Sequence, residues 1–396
     1  MNDLSSTHEH YAHLPEELME KILKAVPDTV EKMNKMFEIQ EEPLKNAIDS
    51  IRQSNMTRKI TATDFSTSLI AVDGGVVIDR MTGSDLLLAV AVGVEGLSTD
   101  PGTQWGAAKN QFYQWQTVLP HEEATARLAQ GVMFLMELSV LAQANHEIRI
   151  MDGTHFTPIL KINSMLSAKE DNAGPEYIKA LKDFLRETYQ KIIPDIPDIV
   201  RETLQNHAII ANAKYSSSRD ILDEYVHNYD IVVDDKTFFS LALSENEYLC
   251  PLSVGQSKNE RRKIWNDLHI KCNLDIPERD DLNESFENIL YPIITKGKKS
   301  ELYFTYYKPY TDGPAYRIEL KKELALDTKR LERVLLSLRH QIVFPEILEP
   351  YPQYLVDLMA KSVASGLFAI QEGIKLSPLL KVDKGNFNLI FNYRTK

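Results

Sequence analysis

From Leu128 to His146 the chain reads LAQGVMFLMELSVLAQANH and carries only one Asp, Glu, Lys or Arg, namely Glu137. A helix that apolar has no charged face to turn toward water, so the fold must largely enclose it. An isolated carboxylate inside such a helix needs a partner, because burying an unpaired charge is costly. A metal ion is one candidate; Arg127, Arg149 or a wet gap are the others. The helix reads from roughly Pro120 to Ala144, with Glu122 and Glu123 in its first turn, where the dipole favours negative charge.

The segments around it have strand character. TSLIAVDGGVVIDR is β-rich and broken by Gly74 and Gly75, which predicts a strand leading into a turn or a bulged return strand. DLLLAVAVGVEG is a second, longer strand, and EIRIMDGTHFTPIL begins with a short one ending at Asp152 and Gly153. AIIANAK, at 208–214, reads as a central strand, and SSSRDILDEYV after it as a cap and helix. Later come strand-like YDIVVDD, ELYFTYYK and AYRIELKK, a helix over 324–341 and a last one from near Tyr354. Strands alternating with long helices give an α/β fold with a mixed sheet.

Residues 14–58 read as helical, with Leu18, Ile22, Leu23 and Val26 recurring at helical spacing, so 1–60 is an N-terminal helical arm, a cap or a dimer contact. The main domain is expected over 61–396, with the polar stretch 251–285 as an inserted loop or lobe. Cys250 and Cys272 are the only cysteines, which leaves no disulfide framework; reduced thiols in a cytoplasmic protein are the simpler reading. The N-terminus has no basic start followed by an apolar run, and the apolar stretch Leu86–Val94 is too short to span a bilayer as a helix. No membrane association is expected.

Three acids have surroundings unusual for surface carboxylates. Asp73 follows an apolar run in LIAVDGG, Asp152 follows another in IRIMDGT, and Glu137 lies in the apolar helix. Glycine after each aspartate permits close backbone approach and predicts a strand-end carboxylate at the sheet rim, where open α/β sheets place ligands. Two aspartates and a glutamate offer hard oxygen ligands to Mg²⁺ or Mn²⁺. Asp-Gly is also a common turn pair, so each aspartate taken singly is equally well a turn residue. In AKYSSSRD, Lys214, Ser218 and Arg219 offer donors suited to phosphate at a strand-to-helix transition, or an ordinary helix cap. Tyr303, Phe304, Tyr306 and Tyr307 could stack on bases, though alternating aromatics more often pack a core. No phosphate-binding loop or dinucleotide fingerprint is present, so any ATP consumption belongs to another chain. The formal net charge of -12 runs against the basic surface usual for a nucleic-acid binder.

These motifs resemble the NurA nuclease family: an early strand ending in Asp-Gly, a helix glutamate, a second strand ending in Asp-Gly, and a later lysine-serine-arginine segment. The resemblance covers roughly residues 65–375. It implies an RNase H-like core and a DNA nuclease with 5′-to-3′ exonuclease and single-strand endonuclease action. It also implies Mn²⁺ (or Mg²⁺) held by Asp73, Glu137 and Asp152, a homodimer, and a HerA-type hexameric ATPase as partner. The setting would be DNA end resection or defence against invading DNA. There is one departure. The family's late histidine is absent from EPYPQYLVDLMAKSVASG, where Met359 falls near its position and Asp357, Lys361 or a distant His340 are the candidates to replace it. A catalytically degenerate subunit that binds DNA or regulates a partner ATPase is the alternative expectation.

Overall fold

The computed structural model describes residues 15–382 and 386, apart from 39–40, 99–104, 106–110, 122–123, 168–173, 185–195, 215–217, 227, 230, 255–268, 274, 276–278, 295–300 and 345–346. Glu122, Glu123 and most of the expected 251–285 insertion therefore lie outside the described residues.

Among the described residues ten strands form one sheet: β1 Thr57–Lys59, β2 Leu69–Met81, β3 Ser84–Glu95, β4 Phe112–Leu119, β5 Ile148–Asp152, β6 Ile209–Ala213, β7 Glu247–Leu249, β8 Leu252–Ser253, β9 Leu302–Lys308 and β10 Tyr316–Lys321. Their spatial order is β1-β7-β9-β10-β6-β5-β2-β3-β4, with β8 paired to β9. β2, β3 and β4 form an antiparallel meander, while β5 and β6 run parallel to β2. That five-strand unit is an RNase H-like core. β10, β9, β7 and β1 extend it as an antiparallel wing.

The described helices are α1 Glu16–Lys24, α2 Val26–Glu38, α3 Glu41–Gln53, α4 Thr125–Gln143, α5 Phe156–Leu166, α6 Pro175–Asp183, α7 Ile196–Gln205, α8 Asp220–Tyr225, α9 Asp235–Ala242, α10 Arg279–Ile294, α11 Lys322–Leu326, α12 Thr328–His340, α13 Tyr351–Lys361 and α14 Val363–Leu376. Helices pack on both faces of the sheet, and the strand residues divide by parity. Ile70 and Val72 of β2 join the large core with α4, α5 and α7, whereas Leu69 and Ala71 join a second core with α12 and α13. α4 has the length and hydropathy of a membrane span, but β2, β3, α5 and α7 pack around it. Its apolar circumference thus serves a protein core.

Three local expectations change. Gly74 and Gly75 do not end β2, which runs unbroken from Leu69 to Met81 because β3 stays paired to it throughout. YDIVVDD is not a strand. Asp234 in it accepts a hydrogen bond from the Thr237 amide and so caps α9, turning the chain helical instead. The helix expected over 324–341 is broken at Asp327, which accepts from the Arg330 amide and starts α12. Toward the N-terminus, α3 buries Ala47 and Ile51 in the main core, while α1 buries no residue.

Candidate active site

Register sets the first two carboxylates side by side. β2 and β5 pair in parallel with Ala71 opposite Ile150 and Val72 opposite Met151. One step further along, Asp73 therefore faces Asp152, and both follow Ala71 and Ile150 onto the face covered by α12 and α13. Asp152 is a true strand end, with Gly153 at φ +87, a conformation that favours glycine. Asp73 sits instead inside a strand, at the point where the parallel neighbour stops. Each carboxylate accepts from the amide after it, Gly74 to Asp73 at 2.9 Å and Gly153 to Asp152 at 3.1 Å.

Gly74 and Gly75 open the two faces of β2 to close approach. A Cβ on Gly74 would lie 2.4 Å from Glu137 Oε1 and 2.5 Å from Met133 Cγ, so only glycine lets α4 bring its carboxylate beneath the strand. A Cβ on Gly75 would lie 2.2 Å from the Ala360 carbonyl oxygen, which pins α13 on the opposite face. Glu137 is 2% exposed, and its Oε1 is buried with no hydrogen-bond partner.

The charges register this crowding. Burial, and then the neighbouring Asp152, push the Asp73 carboxyl up to about 7. Burial, with Asp73 and Asp152 adding repulsion, holds Glu137 well above the usual carboxylate range. Burial also raises Asp152, against the pull of Lys214 and a hydrogen bond from Gln353.

Lys214 lies among the acids. Its Nζ is 3.8 Å from Asp152 Oδ2, 3.2 Å from Glu349 Oε2 and 3.7 Å from Asp357 Oδ1. Burial pulls the ammonium's pKa down, but those three carboxylates outweigh it and hold the group above its ordinary value. Lys361 Nζ is 2.6 Å from Asp357 Oδ2, and Lys236 donates to the Lys214 carbonyl. The other two residues of the expected phosphate patch turn elsewhere. Ser218 bonds Asp220 and Asp235, and Arg219 bonds the Val233 carbonyl and pairs with Asp223. Of the candidates for the late histidine's place, Asp357 pairs with Lys214, and Lys361 joins the cluster through Asp357. Met359 is half-exposed, and His340 stacks on Phe65.

Sequence reasoning did not single out Glu349, Gln353 or Lys236. Gln353 is 1% exposed, donates to Asp152 Oδ1 at 2.9 Å and accepts from Asn212 Nδ2 at 2.8 Å, fixing the carboxylate against β6. The readable signal was spacing: Gln353 and Asp357 lie one turn apart on a single helix face. A buried ion chain also went unread. Arg317 donates to Glu319 Oε1 at 2.6 Å, and Glu319 Oε2 accepts from the His155 amide at 3.0 Å, anchoring the turn just after Asp152. Tyr303, Phe304, Tyr306 and Tyr307 are buried in β9 and face no solvent on which bases could stack. Among the described residues, no group of three or more His, Cys, Asp or Glu side chains is arranged to hold a metal ion.

No protein-family model matches the chain, and no curated protein does. Solved structures do. The crystal structure of the NurA nuclease from Sulfolobus solfataricus superposes with a TM-score of 0.50 at 14% identity, covering 92% of this chain and 100% of that one. A NurA structure with manganese gives a TM-score of 0.47 at 13% identity, covering 85% and 96%. A NurA structure bound to dAMP and manganese gives 0.45 at 11%, covering 87% and 93%. At such identities the likeness is one of fold. This chain is an RNase H-like α/β protein with an acidic cluster where β2 and β5 part, and it shares the architecture of the Sulfolobus solfataricus NurA nuclease.

Proposed function

We propose that this chain is a NurA-fold subunit that receives the backbone of a DNA end at the β2/β5 carboxylate–lysine cluster, beside a HerA-type hexameric ATPase, with no preassembled divalent site. The observation that carries this reading is the Lys214 ammonium seated among Asp152, Glu349 and Asp357. The Mn²⁺ implied by the family resemblance does not fit the side chains as they stand, since among the described residues no three ligating groups are arranged to hold a metal ion and an ammonium stands among the carboxylates. Lys236 and the exposed Lys361 flank the cluster and offer phosphate contacts. Burial that favours the neutral forms of Asp73 and Glu137 lessens the repulsion a phosphate would meet. The sequence carries no phosphate-binding loop, so in this reading any ATP consumption belongs to the partner chain. Homodimer formation, and a setting in end resection or in defence against invading DNA, belong to the same proposal.

One observation favours a second reading, metal-dependent hydrolysis: the buried, unpartnered Glu137 Oε1 beside two aspartates. A single assay separates the two. End-labelled linear DNA should bind in EDTA, more weakly for the Lys236→Ala/Lys361→Ala protein, and should stay intact when Mn²⁺ is added. Mn²⁺-dependent cleavage that disappears in Asp73→Ala and Asp152→Ala would establish the second reading in its place.

A further inference from the structure

The sheet ends in two unlike edges. β1 is three residues long and carries Arg58 and Lys59, a short charged strand of the kind that resists addition of another chain. β4, Phe112–Leu119, forms the opposite edge, and among the described residues it pairs only with β3. Its sequence, FYQWQTVL, includes no Asp, Glu, Lys, Arg or Pro. Tyr113 and Leu119 are buried in the main core. Phe112 is 68% and Val118 53% exposed, with Gln114 and Gln116 exposed between them. The backbone follows the same alternation. The Gly93 amide donates to the Gln111 carbonyl at 2.7 Å, so in this antiparallel ladder the odd residues of β4 bond β3. The amides and carbonyls of Phe112, Gln114, Gln116 and Val118 therefore point away from the sheet, an unpaired row along an uncharged strand.

These four residues are spaced symmetrically about Trp115. We propose that β4 is a pairing edge for a second copy of this chain, the two strands running antiparallel across a two-fold axis at Trp115. The axis sets Phe112 opposite Val118 of the second copy and Gln114 opposite Gln116, each pair exchanging two backbone hydrogen bonds. Moving the axis to Gln116 would set Phe112 opposite Pro120, which has no amide proton; moving it to Gln114 would carry Val118 past the start of the facing strand. About Trp115, the exposed apolar side chains of the strand cover each other twice, as an aromatic and β-branched cross-strand pair. Charge also favours a second copy. The chain carries a formal -12, and an uncharged edge is where two such chains meet the least repulsion. The inference rests on the homodimer named in the functional reading and assigns its interface.

Sedimentation velocity of the full chain over a micromolar concentration series tests this register through charge. The wild type should sediment as a species of twice the chain mass. Phe112→Lys/Val118→Lys sets like charges directly opposite each other and should weaken the dimer at least about tenfold. Phe112→Lys/Val118→Glu sets opposite charges there and should recover most of that loss. Both positions are exposed, and thermal unfolding checks that each variant keeps the fold. If the two-lysine chain does not fold, Gln114→Lys/Gln116→Lys imposes the same repulsion at the inner exposed pair and should weaken the dimer in its place. An undiminished dimer in a folded two-lysine variant, or no recovery with glutamate, overturns this interface and leaves a homodimer through another surface. A monomeric wild type overturns the interface and the homodimer together and leaves the edge to a strand of another protein. DNA binding in EDTA reports separately on the rest of the functional reading.

Discussion

Replacing Asp73 by Asn should stabilise the protein, with a gain that grows with pH. Burial and Asp152 raise the Asp73 carboxyl from 3.8 to about 7, so the folded state binds its proton more tightly than the unfolded chain does. Stability therefore falls as pH climbs from about 4 to about 7, and the whole penalty is present above that window. The full gap corresponds to a ceiling of about 4 kcal/mol, which water access and relaxation reduce to about 2 kcal/mol. Asn keeps the shape and the oxygen that accepts from the Gly74 amide, yet carries no charge. For a chain of this length, we expect Asp73→Asn to raise Tm by about 2–5 °C at pH 8 and to leave it nearly unchanged at pH 4.5. Differential scanning fluorimetry in chelated buffer across that range is sufficient. A Tm difference that does not vary with pH, or a loss at pH 8, would refute the claim that a desolvated, repelled carboxylate sits at this position.

The remaining predictions concern the supports. Gly74→Ala should destabilise the fold by about 2 kcal/mol or more, because its methyl enters the space of Glu137 Oε1 and Met133; guanidinium unfolding measures the loss, and adding Glu137→Ala should recover part of it. Glu319→Gln should cost about 3 kcal/mol by removing the buried carboxylate to which Arg317 donates, and Glu319→Gln/Arg317→Met should be closer to wild type in the same experiment. Gln353→Leu removes a hydrogen bond that favours ionised Asp152, so the carboxyl should titrate higher; side-chain carboxyl NMR would show the shift upward, and no shift would exclude the contact.

The legible part of the site was the part fixed by backbone pattern. Apolar runs ending in Asp-Gly marked Asp73 and Asp152, and the uncharged stretch around Glu137 marked a core helix; parallel register does place the two aspartates together. The role of the glycines was misread, because Gly-Gly usually ends a strand, whereas here it clears room for α4 and α13 on opposite faces. Glu349, Lys236 and Glu319 were not legible. Each lies far along the chain from Asp152 and enters through tertiary packing, in surroundings that give no local signal. Arg219 illustrates the reverse: its phosphate-ready sequence context is satisfied locally by Asp223 and the Val233 carbonyl. YDIVVDD failed as a strand because capping by Asp234 outweighed β-propensity.

Calorimetric titration of Mn²⁺ into the DNA-free wild-type protein addresses the central claim most directly. With an ammonium already seated among the acids, no saturable binding heat should appear below millimolar Mn²⁺. One-to-one micromolar binding that vanishes in Asp152→Ala would contradict the account and return the pocket to metal-dependent hydrolysis.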